Sequence, residues 1–157
     1  MNKQQLGSLI LESQESLYRV AKSLLNNDAD CGDAICETIA RAFEKLHTLK
    51  SDAFAKTWLT RILINECYNI LRKEKKIVYL EDYGQKEEAQ KQQDYSELYE
   101  AIRKLPEDGR LAIVLYYLEG YSVKEIATMM KTTESAIKKR LARAREKLKN
   151  YLEPAEM

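Results

Sequence analysis

Proline and glycine are scarce, with two and five in 157 residues, so few breaks are enforced along the chain. Strand-like runs of β-branched and aromatic residues are few as well, and the expectation is an all-α fold. Cys31, Cys36 and Cys67 are odd in number and form no CxxC. With a single histidine, His47, neither a disulfide framework nor a zinc site is indicated, and the three cysteines read as small core or helix residues. No apolar run approaches a membrane span, and the opening MNKQQLGSLILESQ lacks a signal-peptide pattern. The expectation is a soluble, cytoplasmic chain without direct membrane insertion. No nucleophile–base set, phosphate-binding glycine loop or metal-ligand cluster is present, so neither an enzyme nor a cofactor is expected. The pair Glu87–Glu88 reads as solvated charge.

Net charge is also nearly absent, at +1, but the 26 basic and 25 acidic residues are segregated. From Glu81 to Glu100 there are seven acidic and two basic residues. From Lys131 to Lys149 there are eight Lys or Arg against Glu134 and Glu146. Local fields therefore carry more information than the overall balance.

The basic segment has a pattern. In YSVKEIATMMKTTESAIKKRLARAREK, Tyr121–Lys147, Ser122 and Glu125 have the spacing of a capping box, so a helix is predicted from Val123. Val123, Ile126, Ala127 and Met130 make its apolar stripe. Lys131–Thr133 breaks the period, and Thr133 or Ser135 suits the cap of a second helix. Ile137, Leu141, Ala144 and Leu148 form that helix's stripe, opposed by Lys138, Lys139, Arg140, Arg143, Arg145 and Lys147. Two helices joined by three residues, the second basic, make a helix-turn-helix, whose partner is duplex DNA read in the major groove. The turn lacks the usual glycine; Lys131 stands near the position that favours a left-handed backbone. A basic solvated helix packed on a neighbour is the plainer alternative.

Upstream, Leu6–Asn26 reads as one or two helices, with Leu17, Val20, Ala21 and Leu24 inward. Asn27–Asp30 reads as a break. A helix from about Cys31 to Leu46 turns Ile35, Ile39, Ala42, Phe43 and Leu46 inward. A polar connection, His47–Asp52, leads to a helix from about Ala53 to Lys76. Its inward set is Phe54, Trp58, Leu59, Ile62, Leu63, Cys67, Ile70 and Leu71. Val78–Ser96 has no sustained apolar period and reads as a linker. Leu98, Ile102 and Leu105 mark a short helix stopped by Pro106. The next helix holds Leu111, Val114, Leu115 and Leu118, and Gly120 ends it.

Two blocks of residues carry a resemblance. The first comprises Asp33-Ala34-Ile35-Cys36-Glu37-Thr38-Ile39-Ala40-Arg41-Ala42-Phe43, Trp58-Leu59-Thr60-Arg61-Ile62-Leu63-Ile64-Asn65 and Leu71-Arg72-Lys73. The second comprises Leu105-Pro106, Leu115-Tyr116-Tyr117, Tyr121 to Ala127 and Ala136 to Arg145. In this order, with an acidic linker between, the chain resembles bacterial RNA polymerase sigma factors of the extracytoplasmic-function group of the sigma-70 family. Cys36 stands where that family usually has Gln, and Ile39 where an aromatic is common. Ala136 and Lys139 replace the usual Thr and Ser of the recognition helix.

The resemblance implies a region 2-like domain at residues 1–76, a linker at 77–95 and a region 4-like domain at 96–157. It implies that Asp33, Glu37, Arg41, Glu44 and Lys45 dock on the polymerase clamp; read alone, they are an ordinary solvated face. It implies a base-capturing loop at His47, Thr48, Leu49, Lys50 and Ser51. Arg61, Asn65, Asn69, Arg72 and Lys73 would hold the melted minus-ten element, where Asn pairs with a base edge and Arg and Lys hold phosphates. Thr133, Glu134, Ser135, Lys138, Lys139, Arg140 and Arg143 would read the minus-thirty-five element. Core RNA polymerase, promoter DNA and an anti-sigma factor, often membrane-anchored, are the implied partners of a chain that is monomeric when free. The competing reading is a conventional dimeric helix-turn-helix regulator on a palindromic site.

Overall fold

The computed structural model describes residues 1–81 and 97–152, and these contain helices and no strand. The contacts divide the chain into Met1–Ala89 and Gln90–Met157.

In the first unit, α1 is Lys3–Glu12 and α2 is Gln14–Leu24, parted only by Ser13. A reciprocal cap of Asn2 and Gln5 starts α1. Helix α3 is Asp28–Glu44, three residues earlier at its start than the sequence pattern suggests. The Asn27 side chain accepts the Asp30 backbone N–H at 2.8 Å, so Asp28, Ala29 and Asp30 form a capped first turn rather than a break. Asp28 and Asp30 also complement the positive end of the helix. The Tyr18 hydroxyl, with the Lys22 ammonium 3.1 Å away, holds the Asp28 carboxyl below its usual range and ties α2 to α3.

Two short 3-10 turns, Leu46–Thr48 and Asp52–Phe54, connect α3 to α4, Ala55–Glu81. Helix α4 thus runs past Lys76, and the expected linker beyond Glu81 lies outside the described residues up to its end. The core joins Leu6 and Ile10 of α1, Leu17, Val20, Ala21 and Leu24 of α2, Cys31, Ala34 and Ala42 of α3, and Leu59, Leu63, Ile64 and Cys67 of α4. The buried hydroxyls of Thr38 and Thr60 donate to carbonyls one turn back, those of Ala34 and Lys56, which satisfies them inside helices. Burial pushes the Cys31 thiol up to about 11 and the Cys67 thiol up to about 12. Cys36 is exposed on α3.

Several apolar residues expected inside are not. Phe43 is 36% and Phe54 64% exposed, Phe43 in the last turn of α3 and Phe54 just before α4. Ile35, Ile39, Leu46, Trp58, Ile62 and Ile70 are only half-buried, and Ile64 takes the deeper place. The α3 and α4 stripes are wider than the contact they share, so their flanks stay at the surface.

In the second unit, α5 is Glu97–Lys104, α6 is Glu107–Ile113, α7 is Val123–Met129 and α8 is Glu134–Leu152. Pro106 occupies the cap position of α6, with Glu107 and Asp108 in its first turn. Arg110 donates to the Arg103 and Leu105 carbonyls, closing the end of α5. Helix α6 continues as a π-helical turn, Val114–Leu118, ended by Gly120 at φ 76°. The wider turn rotates Leu118 off the stripe of Leu111 and Leu115, leaving it 38% exposed where burial is expected. Leu98 is likewise exposed on α5, where Ala101, Ile102 and Leu105 are buried instead. Ile126, Ala127 and Met129 of α7 meet Ile137, Leu141 and Ala144 of α8 in a core with Leu111 and Leu115. Met129 takes the buried position expected of Met130, which is half-buried at the cap of α7. Among the described residues no helix is long and apolar enough to cross a membrane.

Candidate nucleic-acid and polymerase interfaces

The α7–α8 pair is built from local hydrogen bonds. Ser122 Oγ accepts the Glu125 N–H at 3.1 Å, and Glu125 Oε1 accepts the Ser122 N–H at 2.9 Å, closing the capping box. At the other end of α7 the Thr132 N–H bonds the Ala127 carbonyl at 2.9 Å and the Lys131 N–H bonds that of Thr128 at 3.3 Å. That pairing is a Schellman motif, and its left-handed residue is Lys131 at φ 55°. Thr133 Oγ1 then accepts the Ala136 N–H at 3.0 Å and starts α8. Of the two capping candidates, Thr133 does the work and Ser135 stays exposed.

With Ile137, Leu141 and Ala144 turned inward, α8 leaves Glu134, Ser135, Lys138, Lys139 and Arg143 exposed and Arg140 half-buried. No ion pair within the described residues holds these four cations. Their charge faces water on a helix fixed by a tight turn, which suits phosphate contact and base-edge hydrogen bonding. Arg145 behaves differently. Its Nη1 donates to the Tyr117 hydroxyl at 3.1 Å, so α8 is tied back to the π-helical turn. Tyr117 in turn meets Tyr116 edge-on, with ring centroids 4.9 Å apart.

In the first unit the loop between α3 and α4 is held by its own backbone. The Thr48 hydroxyl donates to the Lys45 carbonyl, and the N–H groups of Leu49 and Phe54 bond the Leu46 and Ser51 carbonyls. His47, Thr48, Lys50 and Ser51 are exposed, and Leu49 is half-buried. Asp52 pairs with the Met1 ammonium at 2.9 Å. On α4, Arg61, Asn65, Asn69 and Arg72 recur at four- and three-residue spacing and so share one stripe. Arg72 donates to the Asn69 side-chain oxygen, orienting that amide. Arg61, Arg72 and Lys73 are exposed; Asn65 and Asn69 are half-buried.

The α3 face is less uniform than its sequence suggests. Asp33, Glu37, Glu44 and Lys45 are exposed. Arg41 instead reaches α4, where its Nε lies 2.9 Å from Glu66 Oε2 and 3.8 Å from Glu37 Oε2. The Glu66 carboxylate is only 10% exposed, so Arg41 compensates a nearly buried charge. Glu66 is not among the sequence candidates, though its position between Leu63 and Ile70 puts a lone acid on an apolar stripe. At the far end of the same helix, hydrogen bonding to Asp30 and partial burial raise the Glu74 carboxyl to about 7.

Two sigma-70 family models match in sequence order, region 2 over residues 9–77 and region 4 over residues 95–148. The chain belongs to the sigma-70 family, in its extracytoplasmic-function group. It is 29% identical over 142 residues to the RNA polymerase sigma factor SigV of Bacillus subtilis, covering 88% of this chain and 86% of that protein. It is 29% identical over 147 residues to the ECF sigma factor SigM of Mycobacterium tuberculosis, covering 92% of this chain and 75% of that one. Among solved structures, the sigma factor RpoE in complex with the anti-sigma factor NepR from Bartonella quintana superposes with a TM-score of 0.82 at 26% identity. That match covers 97% of this chain and 99% of RpoE. CnrH, solved with the cytosolic domain of CnrY, has the same fold, with a TM-score of 0.71 at 24% identity over 96% of this chain and 89% of that one. This sigma factor is therefore a promoter-specificity subunit in transcription initiation rather than a conventional dimeric regulator, and its family is one of non-enzymatic initiation factors.

Proposed function

We propose that the two units divide the work of initiation between them. Region 1–76 docks on the clamp of core RNA polymerase through Asp33, Glu37 and Glu44 of α3 and Lys45 at its C-cap, with Arg41 bracing that face on Glu66. The loop His47–Ser51 captures a flipped base of the minus-ten element, and Arg61, Asn65, Asn69, Arg72 and Lys73 hold the melted strand. Extracting a base costs a few kcal/mol, so it needs both a pocket and backbone charge. Region 96–157 anchors the minus-thirty-five duplex, with Lys138, Lys139, Arg140 and Arg143 in the major groove and Thr133, Glu134 and Ser135 at the leading end of the recognition helix. A bidentate Arg–guanine pair there is worth about 1–3 kcal/mol of discrimination.

The observation that carries this reading is the free cationic face of α8 on a capped and locked turn, in a chain whose other unit offers an amide-and-arginine stripe of its own. Exposed apolar side chains support control by an anti-sigma factor: Leu11 and Phe43 in the first unit, and Tyr116, Tyr117 and Leu118 in the second. In this proposal the free chain is a cytoplasmic monomer, held at the membrane only through such an inhibitor.

Transcription by core polymerase on a fragmented genomic library, with and without this chain, tests the proposal. New starts sharing two spaced upstream elements are expected. With polymerase shown competent through another sigma factor, the absence of new starts refutes it. Lys138→Ala and Arg143→Ala should weaken use of those starts, and Asn65→Ala should impair opening on them.

A further inference from the structure

Phe54 is the most solvent-exposed aromatic side chain among the large exposed hydrophobics of the described residues, at 64%. It closes the 3-10 turn Asp52–Phe54, and Ala55 after it is already helical, at φ −59° and ψ −43°. Ala55, 3% exposed, takes the inward place instead. Extending the rotation of α4 back by one residue puts Phe54 within about 20° of both Arg61 and Asn65 around the helix axis. Asn69 and Arg72 continue the same line. The stripe therefore runs aromatic, cation, amide, amide, cation, with half-buried Trp58 beside its first turn.

The charge of this stripe selects the occupant. It carries no carboxylate: Glu66 is turned inward onto Arg41, and Asp52 of the preceding turn is neutralised by the Met1 ammonium. An exposed ring in line with two guanidinium groups and two amides suits a polyanion with flat, unpaired bases. An acidic protein surface would match the cations but would leave the ring unused. Stacking on aromatic rings is how proteins hold single strands without reading each base, because every base has a π face.

We propose that Phe54 is a stacking platform for an unpaired base of the melted promoter strand, adjacent to the base captured by the His47–Ser51 loop. Phe54 is thus a positioning residue for strand opening. This inference rests on the minus-ten reading of α4.

The test uses holoenzyme, core polymerase with the full chain, and single-stranded oligonucleotides of the promoter found by mapping transcript starts. 2-Aminopurine replaces each base of the melted segment in turn. Phe54→Ala is expected to weaken strand binding about 5- to 150-fold and to remove the fluorescence quench at one position. Phe54→Leu, which keeps an apolar side chain without a π face, should behave like Phe54→Ala, and Phe54→Trp should retain binding and quench. The ring is mostly in solvent, so all three variants should fold. If Phe54→Leu binds as well as the wild type, stacking is refuted. If Phe54→Ala weakens association with core polymerase and not with the strand, Phe54 is a protein contact and the proposal fails. Asn65→Ala separates the two readings: if it weakens strand binding while Phe54→Ala does not, only the role of Phe54 falls. If neither does, the minus-ten assignment of this face falls with it.

Discussion

Lys131 is the place where the helix-turn-helix works against its own sequence. Its φ of 55° lies in the left-handed region, which costs a non-glycine residue about 1–2 kcal/mol. Glycine escapes that cost but loses more backbone freedom on folding, which returns roughly 0.5–1 kcal/mol. The expected net effect of Lys131→Gly is a stabilisation of about 1 kcal/mol. Gly120 provides the mirror experiment. It sits at φ 76°, and a Cβ built there meets no heavy atom within 4 Å. Gly120→Ala is therefore destabilising by backbone conformation alone, again by about 1 kcal/mol. In a domain of this size each kcal/mol moves the melting temperature by about 4–8 °C. Thermal unfolding of the full chain measures both variants, with far-UV circular dichroism following the helices of both units. The only tryptophan, Trp58, lies in the first unit and reports on that unit, whose transition neither variant should shift. A Lys131→Gly variant that melts at or below the wild-type temperature, with Gly120→Ala behaving as stated, would refute the claim of strain at Lys131.

Three further outcomes are expected. Arg41→Ala leaves the Glu66 carboxylate nearly buried without its guanidinium; solvent access to Arg41 reduces the buried-pair penalty to about 1–3 kcal/mol, and Glu66→Gln in the same chain should recover part of it, as a denaturant titration would show. The Glu74 carboxyl is raised to about 7 in the folded state, so folding favours its protonated form. Stability from this group is full below about pH 4.5 and is lost as pH rises through about 7. Glu74→Gln should flatten that decline, by about 1 kcal/mol after solvent screening, in unfolding curves taken at pH 5 and pH 8. Finally, an aromatic disulfide reagent should titrate one thiol rapidly in the native chain, that of Cys36, and three after unfolding; rapid reaction of Cys31 or Cys67 would contradict their burial.

Much of the fold is local and therefore legible in one dimension. The Ser122–Glu125 box, the cap at Thr133, the stop at Pro106 and the end at Gly120 each depend on residues a few positions apart, and each forms as its sequence dictates. The stripe Ile137, Leu141 and Ala144 likewise follows from helical period alone. The cationic face of α8 is what remains once that stripe is turned inward.

What the sequence determined by itself is thus most of the helices, the caps of the α7–α8 pair and the order of two regions that mark a sigma factor. Tertiary structure alone decided which side of each helix is covered, because burial depends on the neighbour as well as on the period. Phe54 stands in line with the polar stripe of α4 while Ala55 takes the inward place, and Phe43 stands next to buried Ala42 near the end of α3 but is turned toward solvent. Leu118 left its stripe because the turn carrying it is π-helical, a change of pitch written in no single residue. Arg41 and Glu66 are 25 positions apart, and only the packing of α3 on α4 makes them a pair.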